Sequence, residues 1–111
     1  MVTKQVSSNI PAQAIQNKSV VSSGNANGVI NITLELNFIL IHSIQFSYSA
    51  SPTGGRLAIT DGTNTFDVDL ATAGPAFLIC PLIFTGNVTA TIYAGGASIV
   101  GKLNIQYTHE S

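Results

Sequence analysis

Residues 28–49 read Gly-Val-Ile-Asn-Ile-Thr-Leu-Glu-Leu-Asn-Phe-Ile-Leu-Ile-His-Ser-Ile-Gln-Phe-Ser-Tyr-Ser, and apolar residues fall at every second position over most of that length. Ile30, Ile32, Leu34, Leu36 and Phe38 share one face of an extended backbone, with Asn31, Thr33, Glu35 and Asn37 on the other. The alternation breaks around Ile39 to Ser43 and resumes with Ile44, Phe46 and Tyr48 against Gln45, Ser47 and Ser49. At 3.6 residues per turn these side chains would scatter around a helix, whereas a strand delivers them to a single core. An uninterrupted strand of roughly twenty residues is too long. The chain is therefore expected to cross from one sheet to another between Leu36 and Ile44, where Phe38 to Ile41 are apolar on both faces.

The same alternation extends outward from this pair. Leu57 and Ile59 face away from Arg56 and Ala58, Asp61-Gly62-Thr63-Asn64 supplies a turn, and Phe66, Val68 and Leu70 return on the inward side. Ala73-Gly74-Pro75 interrupts the ladder before Phe77 to Phe84, where Pro81 points to an edge or a bulge. Val88, Ala90 and Ile92 alternate with Thr89, Thr91 and Tyr93, and the last strand turns Ile99, Gly101, Leu103, Ile105 and Tyr107 to one side. Upstream, Ser19 to Ser23 form a short strand ahead of the Gly24-Asn25-Ala26-Asn27-Gly28 turn. The expectation is an all-β, antiparallel two-sheet sandwich of about eight strands, jelly-roll-like, with an immunoglobulin-like order as the alternative. Residues 1–18, with irregularly spaced Val2, Val6 and Ile10 and a break at Pro11, read as an extended N-terminal arm, and residues 19–111 as the sandwich domain. Gly55-Arg56-Leu57-Ala58-Ile59-Thr60 and Gly101-Lys102-Leu103-Asn104-Ile105-Gln106 echo each other as two similar strand beginnings.

Composition narrows the function. The chain has 111 residues, with four Lys or Arg against five Asp or Glu, so no basic stripe exists for nucleic acid. Apolar runs such as Phe38 to Ile41 and Ala76 to Phe84 are too short to cross a bilayer. The first residues carry no apolar segment of signal-peptide length, so the start is read as mature and the acceptor-like triplets at Asn17, Asn31 and Asn87 as ordinary polar faces. The single cysteine, Cys80, sits in an apolar run without a neighbouring cation and is expected to pack as a small hydrophobe. So few charges suit a protein whose solubility is governed by neighbours in an assembly.

Chemistry-bearing patterns are scarce. Asp67 and Asp69 share a strand face with Asp61 in the preceding turn, a loop-edge set that calcium tolerates, although the solvated face of a hairpin explains them more simply. His42 and His109 lie far apart in sequence, outside any zinc spacing. No nucleophile elbow, phosphate loop or Cys–His pairing occurs. No enzyme, metal or cofactor is expected. With no tryptophan present, Tyr48, Tyr93 and Tyr107 are the candidate sugar-stacking side chains.

The apolar excess is the informative feature. Phe77, Ile79 and Ile83 face opposite to Leu78, Cys80, Leu82 and Phe84, so this strand is hydrophobic on both sides and a two-layer sandwich covers only one of them. A symmetric homo-oligomer is the economical cover, with residues 1–18 as the competitor. Candidate contact residues are Val2, Val6, Ile10, Ile39, Ile41, Phe77, Ile79 and Ile83.

The stretch from Ile44 to Tyr107 resembles small β-sandwich virion proteins of tailed bacteriophages through Gly55 to Gly62, Phe66-Asp67-Val68-Asp69, Ala73-Gly74-Pro75, and Ala94-Gly95-Gly96 leading to Gly101-Lys102-Leu103-Asn104-Ile105. These are turn and strand signatures, so no catalytic residue carries over. The resemblance implies a capsid decoration (cement) protein on the outer surface of the virion, a homo-oligomer with a trimer favoured, contacting the major capsid protein. A tail-associated receptor-binding or carbohydrate-binding module is the alternative.

Overall fold

The computed structural model describes residues 14–79 and 81–111, all of them in strands, turns or loops. Nine strands follow in order: β1 Gln16–Ser23, β2 Gly28–Ile32, β3 Phe38–Tyr48, β4 Gly55–Thr60, β5 Thr65–Leu70, β6 Ala76–Leu78, β7 Leu82–Phe84, β8 Val88–Ile92 and β9 Val100–Glu110. One sheet runs β1-β9-β3, with β6 and β7 both on the far edge of β3, and the other runs β2-β8-β4-β5. Every pairing is antiparallel. The partners nest, β1 with β9, β2 with β8, β3 with β6 and β7, and β4 with β5. A single long hairpin with its tip at Asp61 to Asn64, rolled until its two halves form two layers, has this connectivity. It is the jelly-roll order and not the immunoglobulin-like one.

Local chemistry explains the element boundaries. β2 ends at Ile32 because the chain leaves the second sheet there; the Leu34 amide donates to Asn87 Oδ1 (2.8 Å) and the Asn37 amide to the Glu110 carbonyl (2.9 Å). The crossing between sheets thus occupies residues 33–37, earlier than the sequence suggests. Phe38 to Ile41 lie inside one continuous eleven-residue strand. The broken alternation has another cause. Against β9, Tyr107 faces Ile41 while Gln106 faces Ser43, which leaves His42 as the extra residue of a β-bulge. Ile39 and Ile41 point inward before it, and Ile44 and Tyr48 point inward after it. Ile39 and Ile41 are wholly buried, so these two expected contact residues belong to the core instead.

Phe77 to Phe84 forms two short strands in place of one, with Pro81 between them opposite the bulge, which brings the described strands to nine. β1 begins at Gln16, so residues 16–18, expected in the arm, are paired with Ile105 to Tyr107. Val2, Val6, Ile10 and Cys80 lie outside the described residues.

The core joins inward residues of both layers: Ile30 and Ile32, Ile39 to Ile44, Leu57 and Ile59, Val88 to Ile92, and Leu103 to Tyr107. Tyr48 ties the layers together. Its hydroxyl donates to the Tyr93 carbonyl (2.7 Å) and accepts from the Arg56 amide (3.3 Å), both belonging to the other sheet's side. Its ring lies where side chains at Gly95 and Gly101 would stand; a Cβ on Gly101 would meet Ser22 Oγ at 2.6 Å and the Tyr48 ring at 2.8 Å. The glycine of the echoed Gly-Lys-Leu stretch is therefore a packing requirement. Tyr48→Phe is expected to lower stability by roughly 1–2 kcal/mol through the orphaned carbonyl, and Gly101→Ala by about 1–3 kcal/mol through overpacking. Urea unfolding of both variants checks this.

Candidate functional site

The two flanks of the roll differ. On one, β1 and β2 approach so closely that a Cβ on Gly28 would stand 3.0 Å from the Val21 backbone. On the other, the inward residues of β5, β6 and β7 keep part of their surface: Phe66, Val68, Leu70, Leu78 and Leu82 are only partly buried against the core. Outward from that flank, Phe77, Ile79 and Ile83 are 53%, 77% and 56% exposed. β6 and β7 pair with β3 on one side, and among the described residues their other side is a sheet edge. Such edges are ordinarily guarded by charge. Here no charged residue occurs between Asp69 and Lys102, and only Pro75 and Pro81 interrupt the run. Of the expected contact residues, Phe77, Ile79 and Ile83 are thus brought together on one exposed edge.

The carboxylates are committed to the hairpin. Asp61 Oδ1 accepts from the amides of Asn64 (2.6 Å) and Thr63 (2.9 Å), and Oδ2 from the Thr85 amide (3.0 Å), so this side chain shapes the tip of the roll and ties it to the loop after β7. Asp67 receives the Arg56 guanidinium on both oxygens, with Nε at 2.8 Å, and Arg56 lies 4.7 Å from the Tyr93 ring centre. Among the described residues, no group of three or more metal-ligating side chains occurs.

Tyr48 and Tyr107 are buried in the core, and that burial pushes both phenols above their ordinary value. Neither offers a sugar-stacking face, and Tyr93 is occupied by Arg56.

The histidines take different positions. The bulge places His42 beside Thr108, with Nε2 2.8 Å from Oγ1, and that hydroxyl donates to Glu110 Oε2 (2.6 Å). His109 is only 1% exposed, extends the inward series Leu103, Ile105 and Tyr107, and stands 3.6 Å from Glu35 Oε1. Its burial follows from the two-residue period of β9 and was readable from the sequence.

Sequence reading missed one surface. The register aligns Ser19, Asn104, Gln45 and Phe77 in a single row across β1, β9, β3 and β6, on the outer face of the first sheet. Rows of Val21, Lys102 and Ser47, and of Asn17, Gln106 and Ser43, flank it. A groove of about 430 Å³ runs over these rows. No signal within any one strand reveals it, because the rows exist only once strand order and register are set.

The strand order defines the chain as a jelly-roll β-sandwich. No protein-family model matches it and no curated protein sequence does, so the resemblance to phage decoration proteins has no sequence-family support. Solved structures similar to it include the nucleoplasmin-like N-terminal domain of Drosophila FKBP39, at 12% identity over 87% of this chain and 91% of that one, with a TM-score of 0.43. The virus-like particle of the extra small virus of the giant freshwater prawn Macrobrachium rosenbergii is similar at 11% identity over 100% and 89%, TM-score 0.36. FLHE is similar at 6% identity over 86% and 98%, TM-score 0.38. Likenesses this distant add nothing to what the strand order itself defines.

The hairpin geometry carries a pH dependence. Hydrogen bonds from the Asn64 and then the Thr63 amide hold the Asp61 carboxyl below the ordinary aspartate value, and the Arg56 side chain does the same for Asp67. A carboxyl lowered on folding contributes stability above its unfolded pKa and loses it as pH falls through the folded one, here below about pH 4. Asp61→Asn is expected to flatten that acid limb, read as the urea midpoint measured from neutral pH downward.

Proposed function

We propose that this chain is a non-enzymatic structural subunit of a virion: a capsid decoration, or cement, protein that acts as a homotrimer on the outer surface of a phage head against the major capsid protein. The observation that carries the reading is the exposed, charge-free apolar edge of Phe77, Ile79 and Ile83 beside the partly open flank of Phe66, Val68, Leu70, Leu78 and Leu82. Apolar surface gathered on one flank of a small domain marks an interaction site, and an unguarded sheet edge favours pairing with another chain. Multivalent attachment of an oligomer makes modest contacts sufficient, because each bound subunit raises the effective concentration of the next. The resemblance of residues 44–107 to phage virion sandwiches supplies the setting.

Light scattering of the purified chain is expected to give three times the 11.5 kDa subunit mass. The triple variant Phe77→Ser, Ile79→Ser, Ile83→Ser, which alters exposed positions only, is expected to weaken association by about tenfold or more. A chain that stays monomeric at all concentrations, or a triple variant that associates like the parent, would defeat the reading. Removal of residues 1–13, which leaves β1 whole, separates the contribution of the leading segment from that of the edge.

A further inference from the structure

We propose that the outer face of the first sheet binds an oligosaccharide in the groove across β1, β9 and β3. This inference stands apart from the assembly reading, since it uses the face of the sheet and not its β6–β7 edge.

Six polar side chains line the groove: Asn17, Ser19, Gln45, Ser47, Asn104 and the single cation Lys102. Asparagine is disfavoured in strands, and the β-branched residues that strengthen a solvated sheet face are nearly missing from these rows. Their concentration on β1, β9 and β3 therefore does not serve the sheet. An amide places a donor and an acceptor side by side, and a hydroxyl does both at one atom. A pair of adjacent sugar hydroxyls needs the same combination. A phosphate backbone would need more than one cation, and an apolar segment would have to strip water from these amides without replacing its hydrogen bonds.

A further observation points to a ligand. Asn104 Oδ1 is buried and accepts no hydrogen bond, while its Nδ2 reaches Gln45 Oε1 only at 3.5 Å, so the central amide pair is poorly satisfied by the protein itself. A volume of about 430 Å³ lies in the range of small-ligand sites.

The test is a nuclear magnetic resonance titration of the full-length chain with cellohexaose, chitohexaose and a hyaluronan hexasaccharide. At least one sugar is expected to shift the amides of Ser19, Gln45, Ser47 and Asn104 while leaving β5 and β8 unmoved. Gln45→Ala and Asn104→Ala should each weaken binding about tenfold; Gln45 is exposed, so its variant remains informative should Asn104→Ala unfold. Lys102→Gln should weaken only the uronate-bearing sugar. The proposal is overturned if none of the three sugars moves those amides, if shifts fall on β7 alone, or if the same amides shift with protein concentration because a second copy fills the groove. Monomeric behaviour in light scattering, which would defeat the assembly reading, leaves this outcome unaffected.

Discussion

The extra residue at His42 is the constraint on which the rest of the sandwich depends. β3 bonds neighbours on both edges, with β9 along one and β6 and β7 against the two halves of the other, on either side of the bulge. Its side chains must enter the core at both ends, yet Ile39 and Ile41 differ in phase from Ile44 and Tyr48. A regular strand would send one of those sets to the outer face, since a slip of one residue inverts every side chain. The bulge absorbs the mismatch, and Pro81 falls opposite it, where the ladder is already interrupted. A proline that would damage a continuous ladder is harmless at that point.

Much of the fold was legible because a two-residue period is local. The inward series of β4, β5, β8 and β9 and the Asp61 turn can be read from a few neighbouring residues. Strand order and phase faults are not local. Leu34 and Leu36 continue the alternation of β2 after the strand has ended, because the crossing between sheets still packs Leu34 against the core. Ile39 and Ile41 looked like surplus apolar residues only while the bulge was unknown. The exposed edge was legible in part, since Phe77, Ile79 and Ile83 alternate against an inward series. The polar rows of Ser19, Asn104 and Gln45 were not, because those residues are distant in sequence and meet only through register.

The two proposed sites lie on different parts of the sandwich, one on a flank and one on a face. The apolar flank owes its exposure to the way the roll closes: β1 and β2 come together over Gly28, whereas β5 faces β6 and β7 with inward side chains still partly uncovered. The outer face of the first sheet is polar in its middle rows and apolar at Val21 and Phe77 on either margin. A partner on the flank would cover the Phe77 margin and leave the middle rows of that face accessible. One small domain can therefore be held in place by one side while presenting another.

The pairing of β1 with β9 reaches further than its hydrogen bonds. The first sheet unites residues 16–23 with residues 100–107, so its second strand in space is the last of the described strands in sequence. Among the described strands β1 has no sheet neighbour until β9 has been made, whereas β3 can meet β6 and β7 before it. Closing so long a loop is entropically slow. The first sheet consequently stays open between β1 and β3 until β9 has been made, and a product truncated ahead of β9 lacks the strand that bridges them.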